Sequence, residues 1–191
     1  MPNYCFNTLQ IKGTRPELEK FKSGVMSKKT LLDFKRIISP SSHKQYTRKK
    51  WMLETTEERK KWGNFNQYWF NKGGYEWCVF NWGTKWNAFD IDLKEEEDVL
   101  KYRFVTAWSP PLQIIAEAIN KYPNLEFIIS YYEEGNRFGG TMTGKDGLVS
   151  EDERYNIICY FCKDCEYWWD VKEGEQCNVC PDCNSSNIEG E

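Results

Sequence analysis

The sequence predicts an α+β protein: a ferredoxin-like split βαβ sandwich with a long insertion, followed by a small cysteine-rich C-terminal module. Three observations lead to this. Alternating and helical hydrophobic patterns run in the order β-α-(insertion)-β-β-α-β. A stretch at residues 26–75 lacks any recurring apolar period. Cysteines crowd into the tail, at positions 159, 162, 165, 177, 180 and 183. The expected division is 1–150 for the sandwich, with its insertion at about 26–75, and 151–191 for the tail.

Residues 3–12 read as a strand, since Tyr4, Phe6 and Thr8 alternate with Cys5, Asn7 and Leu9 until Gly13 breaks the pattern. Thr14-Arg15-Pro16-Glu17 has the spacing of a capping box, with Pro where its missing N–H costs nothing. Leu18, Phe21 and Val25 then mark one face of a helix. Within the insertion, Leu31-Leu32-Asp33-Phe34 and Ile37-Ile38-Ser39-Pro40 look extended, and 54–61 favours helix. A short helix is expected at 76–82, ended by Gly83.

Regularity returns at Asn87. Phe89, Ile91 and Leu93 alternate with Asp90 and Asp92, an acidic turn follows, and Tyr102, Phe104, Thr106 and Trp108 alternate again, which makes a hairpin. Ser109 suits an N-cap and Pro110 the first helical position. Leu112, Ile115, Ala116 and Ile119 then form the helix stripe, which Pro123 ends. Residues 125–132 and 137–143 read as paired strands, and Gly144-Lys145-Asp146-Gly147 as a closing turn.

In the tail, Cys162-Lys163-Asp164-Cys165 and Cys180-Pro181-Asp182-Cys183 are near-copies separated by fourteen residues. Zn²⁺ takes four soft ligands in a tetrahedron, and two Cys-x-x-Cys turns brought together supply them from very little chain. Pro181 presets one turn, and Asn184 tolerates the left-handed conformation a residue after the last ligand often needs. Cys159/Cys162 with Cys177/Cys180 offers the same spacing. Two large rings between Cys159 and Cys162, and the opposite facing of these residues if a strand runs through Phe161, favour Cys162, Cys165, Cys180 and Cys183. Cysteines with no metal at all are the bland alternative. One structural Zn²⁺ per chain in a zinc ribbon is the expectation, because four thiolates close the shell a catalytic zinc keeps open.

Composition bounds the rest. The chain has 191 residues, 40% hydrophobic and 29% charged, as a soluble globular protein has, but aromatics reach 16%. Met1-Pro2-Asn3-Tyr4 begins no signal peptide, and no apolar stretch approaches the ~18–20 residues that span a bilayer, so a cytoplasmic protein without membrane contact is expected. Net charge is −3, yet residues 12–61 carry fifteen Lys/Arg against six Asp/Glu. Such a block suits an acidic partner, or is a solvated insertion. From Tyr155 onward there are two Lys and eight acids, and a ZnCys₄ centre adds about −2, which makes the tail a poor phosphate binder.

No catalytic constellation is visible. The single histidine, His43, lies in the basic stretch; there is no Gly-rich phosphate loop; and Asp90 and Asp92 read as solvent-facing hairpin acids. Arg103-Phe104-Val105-Thr106-Ala107-Trp108 lacks the glycine of an RNA-recognition strand. The segment Trp82-Gly83-Thr84-Lys85-Trp86 has two readings: an aromatic partner surface with Lys85 between the rings, or a helix-to-strand corner locked by two packed indoles. Packing is the commoner fate of Trp.

Four motifs in order resemble the YubB ferredoxin-like domain family of phages and plasmids. They are Met1-Pro2-Asn3-Tyr4-Cys5 with Asn7; 82–88; Phe104-Val105-Thr106-Ala107-Trp108-Ser109-Pro110-Pro111; and Tyr131, Glu133 and Gly135 with Phe138-Gly139-Gly140. Tyr4 and Asn87 stand where that family often shows Trp and Asp. The resemblance implies the fold and a mobile-element origin, hence a bacterial host cytoplasm, and carries no catalytic residues. The expected function is a non-enzymatic, zinc-containing interaction protein that binds, and by binding could inhibit, a host or defence protein. Partner contacts are expected from Arg48, Lys49, Lys50, Trp82, Lys85 and Trp86. The alternative is a nucleic-acid-binding protein using the basic 12–61 region.

Overall fold

The computed structural model describes residues 3–40 and 74–190. In chain order these form β1 (Tyr4–Lys12), α1 (Arg15–Val25), α2 (Phe34–Ile37), α3 (Tyr75–Trp82), β2 (Phe89–Glu95), β3 (Val99–Ala107), α4 (Leu112–Lys121), β4 (Glu126–Glu133), β5 (Phe138–Lys145), β6 (Leu148–Cys162), β7 (Trp168–Lys172) and β8 (Ile188–Gly190). The strands join in the order β2-β3-β1-β4-β5-β6-β7, with β8 also on β6. The β2-β3-β1-β4 part is antiparallel throughout, with β3 between β1 and β2 and β1 between β3 and β4, which is the split βαβ arrangement.

Alternation along β1 turns Cys5, Asn7, Leu9 and Ile11 to the covered face. Leu18, Phe21 and Val25 of α1 meet that face, and Phe21 is the hub of the packing, its ring edge-on to Tyr102, Tyr122 and Phe127 at 6.3, 5.1 and 5.6 Å. Outside the core, Arg15 and Lys22 hold the Glu95 carboxylate at 3.1 and 2.9 Å and tie α1 to the end of β2. The Asp146-Gly147 hairpin has positive φ at both residues (53° and 78°), the mirror-image turn that suits twisted strands.

Several local expectations are corrected. Thr14 caps α1 with its backbone but not its side chain, so the capping box does not form. Phe34 and Ile37, the facing ends of the two stretches expected to be extended, are instead the ends of a one-turn helix, because Asp33 accepts from the Lys35 N–H at 3.1 Å while Phe34 is buried edge-on to Trp82 and Phe104. α4 starts at Leu112 rather than just after Ser109, and its buried stripe is Ile114, Ile115, Ala118 and Ile119. Leu112, half-buried, packs against both the main cluster and a second one of Cys5, Tyr131 and Phe138. β6 runs from Leu148 to Cys162 across the expected boundary at 150/151, its residues 148–149 and 151–156 pairing with β5 around an irregularity at Ser150 and 157–161 with β7. Among the described residues no helix is long and apolar enough to cross a membrane.

Candidate functional site

Two places bring chemistry-bearing residues together: the cysteine turns of the tail and an aromatic corner of the sandwich.

The end of β6 delivers Cys162 as a buried residue, and the chain then folds over it twice in the same way. In the first turn the Glu166 N–H donates to the Cys162 carbonyl and the Cys162 N–H to the Tyr167 carbonyl, both at 2.9 Å. In the second, the Asn184 N–H donates to the Cys180 carbonyl at 2.9 Å and the Cys180 N–H to the Ser185 carbonyl at 2.8 Å. The residue after each second cysteine is left-handed, Glu166 at φ 60° and Asn184 at φ 61°. Asn184 was legible as such a residue; Glu166 was not, since its side chain gives no signal. Asp164 clamps the two turns together, accepting from the Ser185 hydroxyl and, at 2.7 Å, from the Asn187 amide.

This geometry gathers the sulfurs of Cys162, Cys165, Cys180 and Cys183 within 4.8 Å of one another. The Cys162–Cys183 and Cys165–Cys180 separations are each 3.6 Å. That is too long for a disulfide and close to the edge of a tetrahedron with metal–sulfur bonds of about 2.3 Å, roughly 3.8 Å. Desolvation opposes ionisation of the Cys162 thiol, but N–H groups of Cys165 and Asp164 outweigh it and bring the thiol to about 7, whereas Cys165 and Cys183, hydrogen-bonded to the neighbouring cysteines, are pushed up, so without a metal one thiolate is favoured among the clustered thiols. Four cysteines in this arrangement can hold a metal such as zinc. Cys159 and Cys177 lie outside the cluster; Cys159 sits mid-strand opposite Asp170. The remaining thiols, Cys5 and Cys78, are buried in the sandwich, and desolvation pushes them up to about 12 and about 11. Neither is a poised nucleophile.

The tail keeps its rings outside. Tyr160 stacks on Trp169, Tyr167 stacks on Trp169, and Phe161 lies against Trp168, which is 53% exposed.

At the aromatic corner the structure separates residues that the sequence had offered together. Trp82 is 1% exposed, edge-on to Phe34 and Trp77, and its indole N–H donates to the Ile38 carbonyl at 3.0 Å. Trp82, expected to contact a partner, is thus held almost wholly in the core and offers a partner little surface. Trp86 is 39% exposed, because Gly83 at φ 80° turns the chain outward between the two. Lys85 lies over three rings, at 4.2 Å from the Trp108 centroid, 5.1 Å from Trp86 and 5.7 Å from Tyr75. The Lys85 N–H and the Thr84 hydroxyl both donate to the Ala107 carbonyl, and the Ser109 hydroxyl donates to the Gly83 carbonyl, which fixes the corner to the end of β3. Tyr75 and Trp108 escaped the sequence reading because they come from other segments. A Trp directly before Ser-Pro-Pro at a strand end was the available signal. Arg48, Lys49 and Lys50 lie outside the described residues.

The motifs behind the family resemblance turn out to be packing and hydrogen-bonding devices. A Cβ at Gly140 would stand 2.2 Å from the Tyr131 hydroxyl, and one at Gly139 would stand 2.8 Å from the Tyr155 ring. Buried Glu133 accepts from the N–H groups of Gly135 and Asn136 at 3.0 and 2.6 Å. Buried Asn7 donates to the Cys5 carbonyl and the Thr106 hydroxyl at 2.8 and 3.0 Å. These residues specify a fold rather than a reaction.

Residues 81–156 match a family model described as the ferredoxin-like domain in Api92-like protein. The likeness is to a domain. It covers three of the four motifs named above, and supports the ferredoxin-like part of the resemblance without the YubB name or an appended zinc ribbon. A protein api92 from Yersinia pseudotuberculosis has a similar crystal structure, with a TM-score of 0.51 at 10% identity over 82% of this chain and 99% of that one. At such low identity the match speaks for the fold alone. No curated protein matches the chain.

Proposed function

We propose that this chain is a non-enzymatic interaction protein of a phage or other mobile element. It binds a host or defence protein in the bacterial cytoplasm, through a tail whose shape a structural Zn²⁺ holds. The observation that carries this reading is the contrast between the tail's closed centre and its open rings. Four sulfurs at tetrahedral spacing leave no position for a substrate, so the metal would serve shape alone. Trp168 and Tyr167 stand exposed among acidic side chains, the combination of aromatic anchor and polar rim that protein interfaces use. Phosphate would be repelled there. The basic 12–61 region supports nucleic acid as the second reading.

The test is quantitative capture of host protein by tagged, zinc-loaded chain, with Trp168→Ala beside the wild type. An aromatic anchor removed from an interface weakens binding about thirtyfold or more. The opposite result is tight binding of generic DNA or RNA at physiological salt, abolished by Glu at Arg48, Lys49 and Lys50. That would replace the protein partner with the second reading.

A further inference from the structure

The cleft between the α1–α2 loop, α2, α3 and the 85–87 corner encloses about 420 Å³, the scale of a small-molecule site. Its walls combine two chemistries. Lys29, Lys35 and Lys85 line it, with Lys28 beside Lys29 in the chain, and among the described residues none of these four makes an ion pair. The lysines of α1, by contrast, are paired: Lys20 with Glu17, and Lys22 with Glu19 and Glu95. The one acid in the wall, Asp33, is turned inward, accepting from the Lys35 N–H and from the Asn87 amide. In a chain of net charge −3, this cleft gathers three lysines without an ion pair among the described residues, with Asp33 in its wall and Glu76, hydrogen-bonded to Tyr75, as the acids beside it.

The second chemistry is planar. Tyr75 is 53% exposed, Trp86 39% and Trp108 41%, and the Lys85 ammonium stands over all three rings. Trp108 is held at φ 74°, a backbone conformation uncommon for a bulky residue. Tyr75 and Trp86 line the cleft and Trp108 adjoins it through Lys85, so the cleft offers two rings for stacking beside a cation.

We infer that this cleft binds a phosphorylated nucleoside, its phosphates against Lys29, Lys35 and Lys85 and its base against Trp86 or Tyr75. A phosphate group supplies the multiple charge that three lysines answer, and a base supplies the flat π-face that the rings answer. An acidic peptide segment offers the charge without the planar face. The site lies apart from the tail surface of the proposed function, but Lys29 and Lys35 belong to the basic 12–61 region of the second reading, so free-nucleotide binding leaves the proposed function untouched whereas preference for single strands favours that second reading.

Direct binding to the full, zinc-loaded chain at low salt tests it, with four probes: ATP, a short oligothymidylate, inorganic tripolyphosphate and polyglutamate. Either nucleotide probe should bind at least tenfold more tightly than tripolyphosphate. Trp86→Ala should weaken it about tenfold with the salt dependence unchanged, the loss of one stacked base. Lys85→Met should weaken it and lower the salt slope by about one, the loss of one phosphate contact. Exposed Lys35→Gln, which cannot disturb the core, should repeat the slope change in a smaller protein perturbation. Trp168→Ala should change nothing. Equal binding of ATP and oligothymidylate assigns the site to free nucleotides, and preference for the oligomer assigns it to single strands. No saturable nucleotide binding, polyglutamate competing as well as nucleotide, or indifference to all three cleft substitutions would overturn the inference.

Discussion

The sandwich and the tail share one strand, β6, yet they are held together by different means. The sandwich rests on a continuous cluster that includes Leu9, Phe21, Phe34, Trp82, Tyr102, Ile115 and Phe127, all nearly inaccessible to water. In the tail beyond residue 156, Cys162 and Cys180 are the only buried residues among those described, and large rings such as Trp168 face outward. Burying apolar surface contributes roughly 25 cal/mol per Å², so the sandwich has an ample source of stability and the tail has almost none. A short chain without a core needs a staple, and four sulfurs at tetrahedral spacing are the one available. The staple also leaves the tail's aromatic residues free for contact, which a hydrophobic core would consume.

Metal removal gives the largest expected effect and the sharpest way to break this comparison. Cys162→Ser or Cys183→Ser should lose the single Zn²⁺ by metal analysis, whereas Cys159→Ser and Cys177→Ser should keep it. Apparent binding of structural zinc is worth about 10–16 kcal/mol, so chelation should melt the tail outright. Hydrogen exchange should then show 157–190 unprotected and β1, β3 and β4 still slow. Beside the backbone bonds from the Ile157 N–H to the Arg137 carbonyl and from the Glu173 N–H to the Asn156 carbonyl, both at 2.9 Å, the side-chain links from sandwich to tail include exposed, weak ones: Tyr132 to Asp170 at 2.6 Å, Asn156 to Glu173 at 2.8 Å, and Glu153 with Lys172. Full zinc in the Cys183 variant would refute the ligand set. Cooperative loss of the whole fold would show that β6 couples the two parts more strongly than these contacts suggest.

Trp82 and Trp86 sharpen the comparison inside the sandwich. Trp82→Ala removes a fully buried indole and its hydrogen bond to Ile38, and should cost about 3–5 kcal/mol in urea denaturation. Trp86→Ala, on the exposed side of the Gly83 turn, should cost less than about 1 kcal/mol. Zinc content should be unchanged in both, because neither touches the tail. A Trp86 variant as unstable as the Trp82 variant would mean that the corner is packing throughout and presents no surface.

What the sequence made legible followed the length of its patterns. β1, α1 and the β2–β3 hairpin each span at least a full period of alternation or stripe, so these elements could be read directly, although the covered face of β1 could not, since Tyr4 and Phe6 are exposed and Cys5, Asn7 and Leu9 are buried. The one-turn α2 could not, because its N-cap Asp33 is itself steadied by Asn87, fifty-four positions away. The stripe of α4 was misplaced in part: Leu112 is half-buried, packed against two clusters, which periodicity does not record. Residues 148–156 of β6 carry no alternation, since most are exposed, so strand pairing there is set by β5 alone. The cysteine cluster was the clearest feature, but spacing alone allowed two frames, and the rings between Cys159 and Cys162 with the strand's alternation were what favoured one. The aromatic corner was half legible: Trp82 and Trp86 stood out, but only the fold brings Tyr75 and Trp108 to Lys85.

The smallest effect tests whether the metal alone shapes the tail or whether the chain prearranges its ligands. Asp164 touches no sulfur, yet it joins the loop between Cys162 and Cys165 to Ser185 and Asn187 beyond the second pair. Those bonds draw its carboxyl below the usual carboxylate range. They also hold the first turn in register with the second before any metal arrives. Asp164→Ala leaves four cysteines intact but frees the two turns to move apart, so each binding event must then restrain them. Groups of this kind next to a metal site typically change affinity about 10–100-fold when removed. Competition with a chromophoric chelator should therefore show a loss in that range at unchanged stoichiometry, while Asp164→Asn, which keeps an acceptor for Asn187 and Ser185, should recover most of it. Wild-type affinity in the alanine variant would mean that the metal itself organises the turns, and that the sequence of the tail specifies little beyond the spacing of its cysteines.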